Sequence, residues 1–410
     1  MEHVYASIDL GSDSIKLVVC DLYQNHLNLL AATSMPSRGI KKGLITEPEL
    51  AKKSIQLAFK QVEEMLGIRI KKVIANIPNH MAEYKIIKGE CDIPGDLITS
   101  RDMMNSYKAG IRSNLMPNEE FVTVVPIDFK INGKTVMKDP KGFPGKKLMG
   151  RAMMVTTPKK NVYSVASIIE SLGIEIVDIS VGSIGDINCF RNGDLDKSIS
   201  AVINVGSDIT AVSLYNKSIP VSTKIIGAGG RDIDRDLAYM YKIDVEEARK
   251  LKENFALAYK RNADVHDIYE TVNMDNVKIK INQQAASEVV MSRINEILTL
   301  AKNELEDLTN KPIQYIIVTG GTSNMLDFEY CVHDTLPSVA SKAKVKLIGV
   351  RNNKYSTAIG NIIYFLNTLK LKGMDYSMLS EDDMDELSSP RENTNDDTML
   401  GKVFGYFFGE

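Results

Sequence analysis

The chain of 410 residues has no tryptophan, only four cysteines and only five histidines. Cys20, Cys91, Cys189 and Cys331 stand far apart and form no CxxC pair, which removes the grounds for a zinc ribbon or a dithiol redox centre. Reduced, buried thiols are expected instead. No two histidines stand at HxxH spacing and no GxSxG elbow occurs, so zinc-hydrolase and serine-hydrolase chemistry find no support. A formal charge of −3 gives no case for nucleic-acid binding, which calls for a basic face. No apolar run reaches the ~18 residues of a membrane span. The opening stretch carries Glu2 and alternates like a strand, unlike a secretory signal. A cytoplasmic protein is expected, unless something anchors it peripherally.

What is present is ordinary globular composition, 44% hydrophobic and 25% charged, on a length that suggests two or more domains. Residues 4–40 read as strand, glycine turn, strand, turn, strand. The stretch 47–67 follows as a helix, with Leu50, Ile55, Leu57, Ala58, Val62 and Leu66 at helical spacing. At residue 200 the pattern restarts in the same order and spacing, which makes an internal structural repeat. Between the repeats, 84–163 has the texture of a small α+β insert. A helical block is expected over about 231–308. After Lys372 the chain turns acidic, with eight carboxylates against one Arg from Glu381 to Asp397, and reads as a solvated linker.

Four glycine turns carry the chemistry. In "DLGSDSIK", Gly11 bends the chain and its neighbours present backbone N–H groups, hydroxyls of Ser12 and Ser14 and the Lys16 charge, a cradle for an anion. Asp9 at the strand end suits a hydrated Mg²⁺. "INVGSDIT" supplies Asn204, Gly206, Ser207 and Thr210 in the matching turn of the second half. "GAGGRDIDRDLA" adds Gly229 and Gly230, and "VTGGTSN" adds Gly320, Gly321, Thr322 and Asn324, where a backbone can approach a flat ligand.

This order of phosphate turn, connecting helix, phosphate turn and adenosine turn resembles the actin-like ATPase superfamily. Within it the chain is similar to the FtsA family, which ties the tubulin-like FtsZ ring of dividing bacteria to the membrane. The carriers are "SIDLGSDSIK", "PSRGIKKGLI", "DPKGFPGKKLMGRAMMVTT", "GAGGRDIDRDLA", "VEEARKLK", "QQAASEVVMSRINEIL" and "VTGGTSNMLDF". The resemblance implies an α/β, ribonuclease H-like duplicated, two-lobed actin-like fold with an FtsA-type insert. Lobe 1 would comprise 1–83 and 164–200, the insert 84–163, lobe 2 201–230 and 311–372, its outer subdomain 231–310, the linker 373–397 and a terminal amphipathic helix 398–410. It implies ATP with Mg²⁺ between the lobes, phosphates held by Gly11, Ser12, Ser14 and Lys16 against Gly206, Ser207 and Thr210, adenosine against Gly320 to Asn324, and Lys252 beside the purine or ribose.

Three positions depart from the family pattern. Asn204 replaces the usual Asp, Asp208 adds negative charge near the phosphates unless Mg²⁺ or Lys16 offsets it, and Arg249 stands where Glu is common. At most a weak ATPase is expected, and mainly a scaffold. Implied partners are the acidic and apolar FtsZ C-terminal peptide, received near Arg293, Lys250 and Arg249, further copies in a filament, and later division proteins. A kinase, a chaperone or a pilus-assembly adaptor of the same superfamily is the alternative.

The end of the chain, "TMLGKVFGYFFGE", has its own reading. At ~100° per residue, Met399, Leu400, Val403, Phe404, Tyr406, Phe407 and Phe408 share an arc of roughly 200°, opposite Gly401, Lys402, Gly405 and Gly409. That pattern suits an interfacial helix lying in lipid headgroups, and the cytoplasmic membrane face at the division septum is the expected location.

Overall fold

The computed structural model describes residues 3–388. Two five-stranded sheets dominate. In the first, the order across the sheet is Glu175–Val181, Lys72–Ile77, His3–Leu10, Ser14–Tyr23, His26–Pro36. In the second it is Ala340–Lys342, Tyr315–Thr319, Ile199–Val205, Thr210–Asn216, Ile219–Ile226. In both sheets the first strand in chain order lies centrally, antiparallel to its hairpin partner and parallel to the next strand. The repeat read in the sequence is therefore a repeat of topology.

Each sheet is covered by helices whose apolar spacing fits it. The helix Pro48–Leu66 buries Ala51, Ile55, Ala58, Phe59, Val62 and Leu66. Leu57, expected on that face, points away and is 51% exposed, and Leu50 is half-buried. In the second lobe Gln283–Leu308 buries Ala286, Val290, Ile294, Ile297, Leu298 and Ala301. The expected helical block also contains a hairpin, Ile268–Val272 with Lys278–Asn282, closed by a turn in which Asn276 takes φ 58°. The alternation Tyr269, Ile279, Ile281 toward the lobe core is its signature.

The insert is a four-stranded antiparallel sheet, ordered Glu83–Asp92, Lys147–Pro158, Glu119–Ile131, Thr135–Met137, with the helix Ser100–Asn114 against it. Thr99 and Asp102 form a reciprocal capping box at the start of that helix. Helix and sheet approach closely because a Cβ on Gly89 would lie 2.0 Å from the Ser106 carbonyl oxygen. The insert has its own core of Ile87, Phe129, Leu148 and Met154. It ends at Pro158 rather than at 163, since the next helix, Lys159–Glu170, puts Val162, Val165 and Ile169 into the lobe 1 core.

The expected linker is also shorter. Tyr5 Oη donates to the Tyr376 carbonyl at 2.7 Å, and the Met378 N–H donates to the Val4 carbonyl at 2.9 Å. Met378 and Leu379 are buried, and the helix Glu381–Ser388 follows, held to Lys71 through Asp383 at 3.3 Å. Apolar residues spaced among the carboxylates fix residues 376–388 to lobe 1; charge density alone had concealed them. The tail residues Met399, Leu400, Val403, Phe404, Tyr406, Phe407 and Phe408 lie outside the described residues.

Two helices join the lobes, Gly182–Phe190 and Ser356–Lys372. They cross at Gly185 and Gly360, where a Cβ on Gly360 would sit 1.7 Å from the Gly185 carbonyl oxygen. No side chain fits there. Gly360→Ala should therefore destabilise the fold by about 3 kcal/mol or more in urea titration, the upper end of overpacking costs. Gly193→Ala, where a Cβ meets nothing within 4 Å, is the control and should shift the midpoint little. Equal effects of the two would refute the close crossing.

Candidate functional site

The two hairpin turns face each other above that crossing. Gly11 N–H donates to the Ser14 carbonyl at 3.2 Å, and Gly206 N–H to the Ile209 carbonyl at 3.0 Å, so both turns are built alike. The third and fourth turns are tied to the second. Gly230 N–H and Thr322 Oγ1 donate to the Gly206 carbonyl at 2.9 and 2.8 Å. A Cβ on Gly229 would lie 2.4 Å from the Ser207 carbonyl oxygen, and Gly320 adopts φ 98°. Between the lobes these turns enclose a cavity of about 610 Å³.

Of the residues expected to hold a cofactor, all line this cavity except Thr210, Gly229 and Gly320. Those three shape its walls: buried Thr210 donates to the Ala228 carbonyl at 2.9 Å, and the two glycines allow the close backbone approach. Lys16 Nζ lies 3.1 Å from Asp9 Oδ2, while Asn76 donates to Asp9 Oδ1 at 3.0 Å. Buried Lys252 pairs with Asp234 at 2.7 Å and donates to the Gly230 carbonyl at 3.1 Å. Burial raises the Asp234 pKa, and Lys252 opposes the rise.

The Asp208 charge is met, though not by Lys16. Arg231 pairs with Asp208 at 2.8 Å, and the Lys42 N–H donates to its other oxygen at 3.0 Å. Arg249 reaches across the cleft to Asp13 at 2.8 Å and also contacts Glu253 at 3.0 Å. Arg231–Asp208–Lys42 and Arg249–Asp13 thus cross from lobe 2 to lobe 1 at the cavity's mouth. Arg249, expected among the residues that meet a partner peptide, lines the cleft cavity. Lys250, on the same helix, is 64% exposed and pairs with Glu247, and Arg293 is held by Asp236 at 2.6 and 2.9 Å.

Sequence reading also missed Asp186, in the middle of the joining helix Gly182–Phe190. It is fully buried below the cavity floor and accepts from Asn204 Nδ2 at 2.8 Å and Thr357 Oγ1 at 2.7 Å. A carboxylate at 204 would face another carboxylate; the amide donates instead. The signal was available, since an Asp amid "GSIGDINCF" breaks an apolar helix. Lys354, also missed, lines the cavity, with its pKa lowered by burial and then by Lys16.

Two lobes of one topology, a glycine-walled cleft and two crossing connector helices define an actin-like protein, and comparisons with solved structures agree. The chain superposes on a PilM–PilN type IV pilus biogenesis complex with TM-score 0.58 at 15% identity, covering 89% of this chain and 98% of that one. It superposes on MreB5 of Spiroplasma citri bound to ADP with TM-score 0.52 at 13% identity, covering 90% and 97%. Such low identities establish the fold alone. A model of the family described as Cell division protein FtsA matches residues 201–360, and a model of the SHS2 domain inserted in FTSA matches 82–156. The Cell division protein FtsA of Bacillus subtilis is 27% identical over 375 residues, 90% of this chain and 85% of that protein. That of Enterococcus hirae is 25% identical over 380 residues, 89% and 83%. The chain belongs to the FtsA family of actin-like cell division proteins.

Burial pushes the Asp186 carboxyl up to about 6. Because the folded pKa exceeds the unfolded one, the proton is held more tightly when folded, and stability is greatest below the unfolded pKa and falls as pH rises toward the folded pKa. Asp178, raised to about 6 by burial against the pull of Lys372, adds a second such slope. Asp186→Asn should therefore remove roughly 1–2 kcal/mol of the stability lost between pH 5 and 7.5 in urea titration. An unchanged slope would mean that Asp186 is not the group titrating.

Proposed function

We propose that this cell division protein binds ATP with Mg²⁺ in the interlobe cleft and acts as a polymerising scaffold that carries FtsZ to the membrane. The observation that carries the nucleotide reading is the convergence of four glycine turns, from both lobes, on one cavity of about 610 Å³, within the range of small-ligand sites. Gly11, Ser12, Ser14 and Lys16 would hold phosphates from one side and Gly206 and Ser207 from the other. Gly321, Thr322, Asn324 and Lys252 would take the adenosine end. Among the described residues no group of three or more His, Cys, Asp or Glu gathers to hold a metal. Mg²⁺ would therefore arrive on the phosphates with Asp9 as outer ligand, as this weakly dehydrated ion prefers. Bound Mg²⁺ would supply charge stabilisation of the phosphates; Asn204, a neutral amide, gives poor support for activating water, so slow turnover is expected. Titration calorimetry with Mg-ATP should show binding, weakened about tenfold or more in Lys16→Ala, the loss of one charged phosphate contact. Absence of heat at high protein concentration would sink the nucleotide reading.

The membrane reading rests on residues 398–410. Full burial of one such aromatic or aliphatic side chain contributes ~1.5–3 kcal/mol, less at an interface, whereas Gly401, Gly405 and Gly409 each cost about 1 kcal/mol of helix propensity. One tail binds weakly, and a filament of many tails binds firmly. Among the described residues no helix is long and apolar enough to cross a membrane. The FtsZ peptide would bind the outer subdomain of lobe 2, near Arg293 and Lys250. Later division proteins would be recruited to the same septal assembly. In vesicle pelleting, the full chain should sediment, more with Mg-ATP, and bring FtsZ with it; a chain ended at Asp397 should not. If both stay in solution, the membrane role is lost and the fold is untouched.

A further inference from the structure

A second cavity, of about 1150 Å³, lies where the insert meets both lobes. Its walls are the insert helix Ser100–Asn114 and strand Glu119–Ile131, the turn at 217–219, and the end of the joining helix Ser356–Lys372. On a chain of net negative charge this groove is basic. Arg101, Lys108, Lys138, Lys217 and Lys372 line it, all exposed, and none has an ion-pair partner within 4.0 Å among the described residues. Arg151 and Arg191 also line it and are paired, with Asp128 and Asp196. The only carboxylates on its walls, among the described residues, are Asp128 and Asp178.

Between the cations lie apolar side chains, including Met104, Phe121, Met137, 59%-exposed Val136 and 55%-exposed Met374. Two buried hydroxyls on the wall, Tyr107 Oη and Ser218 Oγ, have no hydrogen-bond partner among the described residues. Tyr107 is 2% exposed and Ser218 4%. The chemistry that fits is a short chain segment carrying carboxylates beside apolar side chains.

The chain supplies such a segment itself: Asp396 and Asp397 stand one residue, Thr398, before Met399 and Leu400. It is also near. Asp383 contacts Lys71, and the Lys71 carbonyl accepts the Glu175 N–H at 2.8 Å. Asp178, on the groove wall, follows three residues along that strand, about 10 Å away at strand rise. The eight-residue helix Glu381–Ser388 adds about 12 Å, and residues 389–397 extend to about 30 Å. At that extension Asp396 and Asp397 come within range of the groove wall.

We propose that residues 396–400 dock in this groove of their own molecule, the carboxylates of Asp396 and Asp397 among Lys108, Lys138, Lys217 and Lys372 and Met399 and Leu400 on its apolar floor. A docked segment withholds the start of the apolar tail from other surfaces; that consequence rests on the membrane reading above, whereas the docking does not.

Zero-length carbodiimide cross-linking of the unaltered full chain, as an equal mixture of ¹⁴N- and ¹⁵N-labelled copies without lipid, tests the docking directly. Mass spectrometry should find Asp396 or Asp397 joined to Lys108, Lys138, Lys217 or Lys372 within single copies, with the yield falling at least fivefold in 1 M NaCl. Links only to lysines elsewhere, no tail links, or links that join unlike copies would each overturn it. In vesicle pelleting, Lys217→Glu/Lys372→Glu should bind at least threefold more than the unaltered chain if docking restrains the tail. Cross-links without any vesicle binding would end the membrane reading and leave the docking intact.

Discussion

The backbone contact between Gly185 and Gly360 is the constraint on which the molecule is arranged. Two helices can pass this closely only where neither carries a side chain. Because they do, Thr357 and Ser356 on one helix come within reach of Asp186 on the other, at 2.7 and 3.4 Å. Asp186 in turn accepts from Asn204 and so fixes the start of the second hairpin turn. The floor of the cleft is thus a buried polar network set by a packing requirement, in a low-dielectric setting where unsatisfied partners cost most.

The mouth of the cleft is held differently. Its cross-lobe contacts run from Asp208, itself paired with Arg231, to the Lys42 N–H and from Arg249 to Asp13, and the two arginine side chains are 31% and 36% exposed. Ion pairs that water can reach contribute about 0–1 kcal/mol each. A rigid floor with a weakly tied mouth permits ligand entry without loss of the interlobe joint. Arg249 fits this frame, because Asp13 on the opposite lobe supplies its counter-charge at 2.8 Å.

Much of this was legible in the chain. The duplicated sheets announce themselves through hairpin alternation around Gly11 and Gly206, and the glycine turns through their composition. Local patterns are written locally. What sequence could not carry was cross-lobe geometry: that Asp208 accepts from the Lys42 N–H, that Arg249 turns to the cleft while Lys250 beside it faces solvent, and that Asp186 lies beneath Asn204. The hairpin 268–282 was overlooked because long amphipathic helices flank it. The segment 376–388 was misread because a count of carboxylates outweighed the spacing of Tyr376, Met378, Leu379 and Leu387, which pack against the lobe 1 core. The tail pattern stands apart, since residues 389–410 lie outside the described residues.

That stitched segment has a mechanical meaning. Val4 exchanges hydrogen bonds with Ser377 and Met378, so the C-terminal end is fastened to the central strand of lobe 1 rather than left hanging from the joining helix. A pull applied beyond Ser388 enters lobe 1 at this fastening and at Lys71, on the same side of the hinge. It does not pass through the Gly185–Gly360 crossing, and it exerts no leverage that would pry the two lobes apart. Tension on the end of the chain and the opening of the cleft are mechanically decoupled.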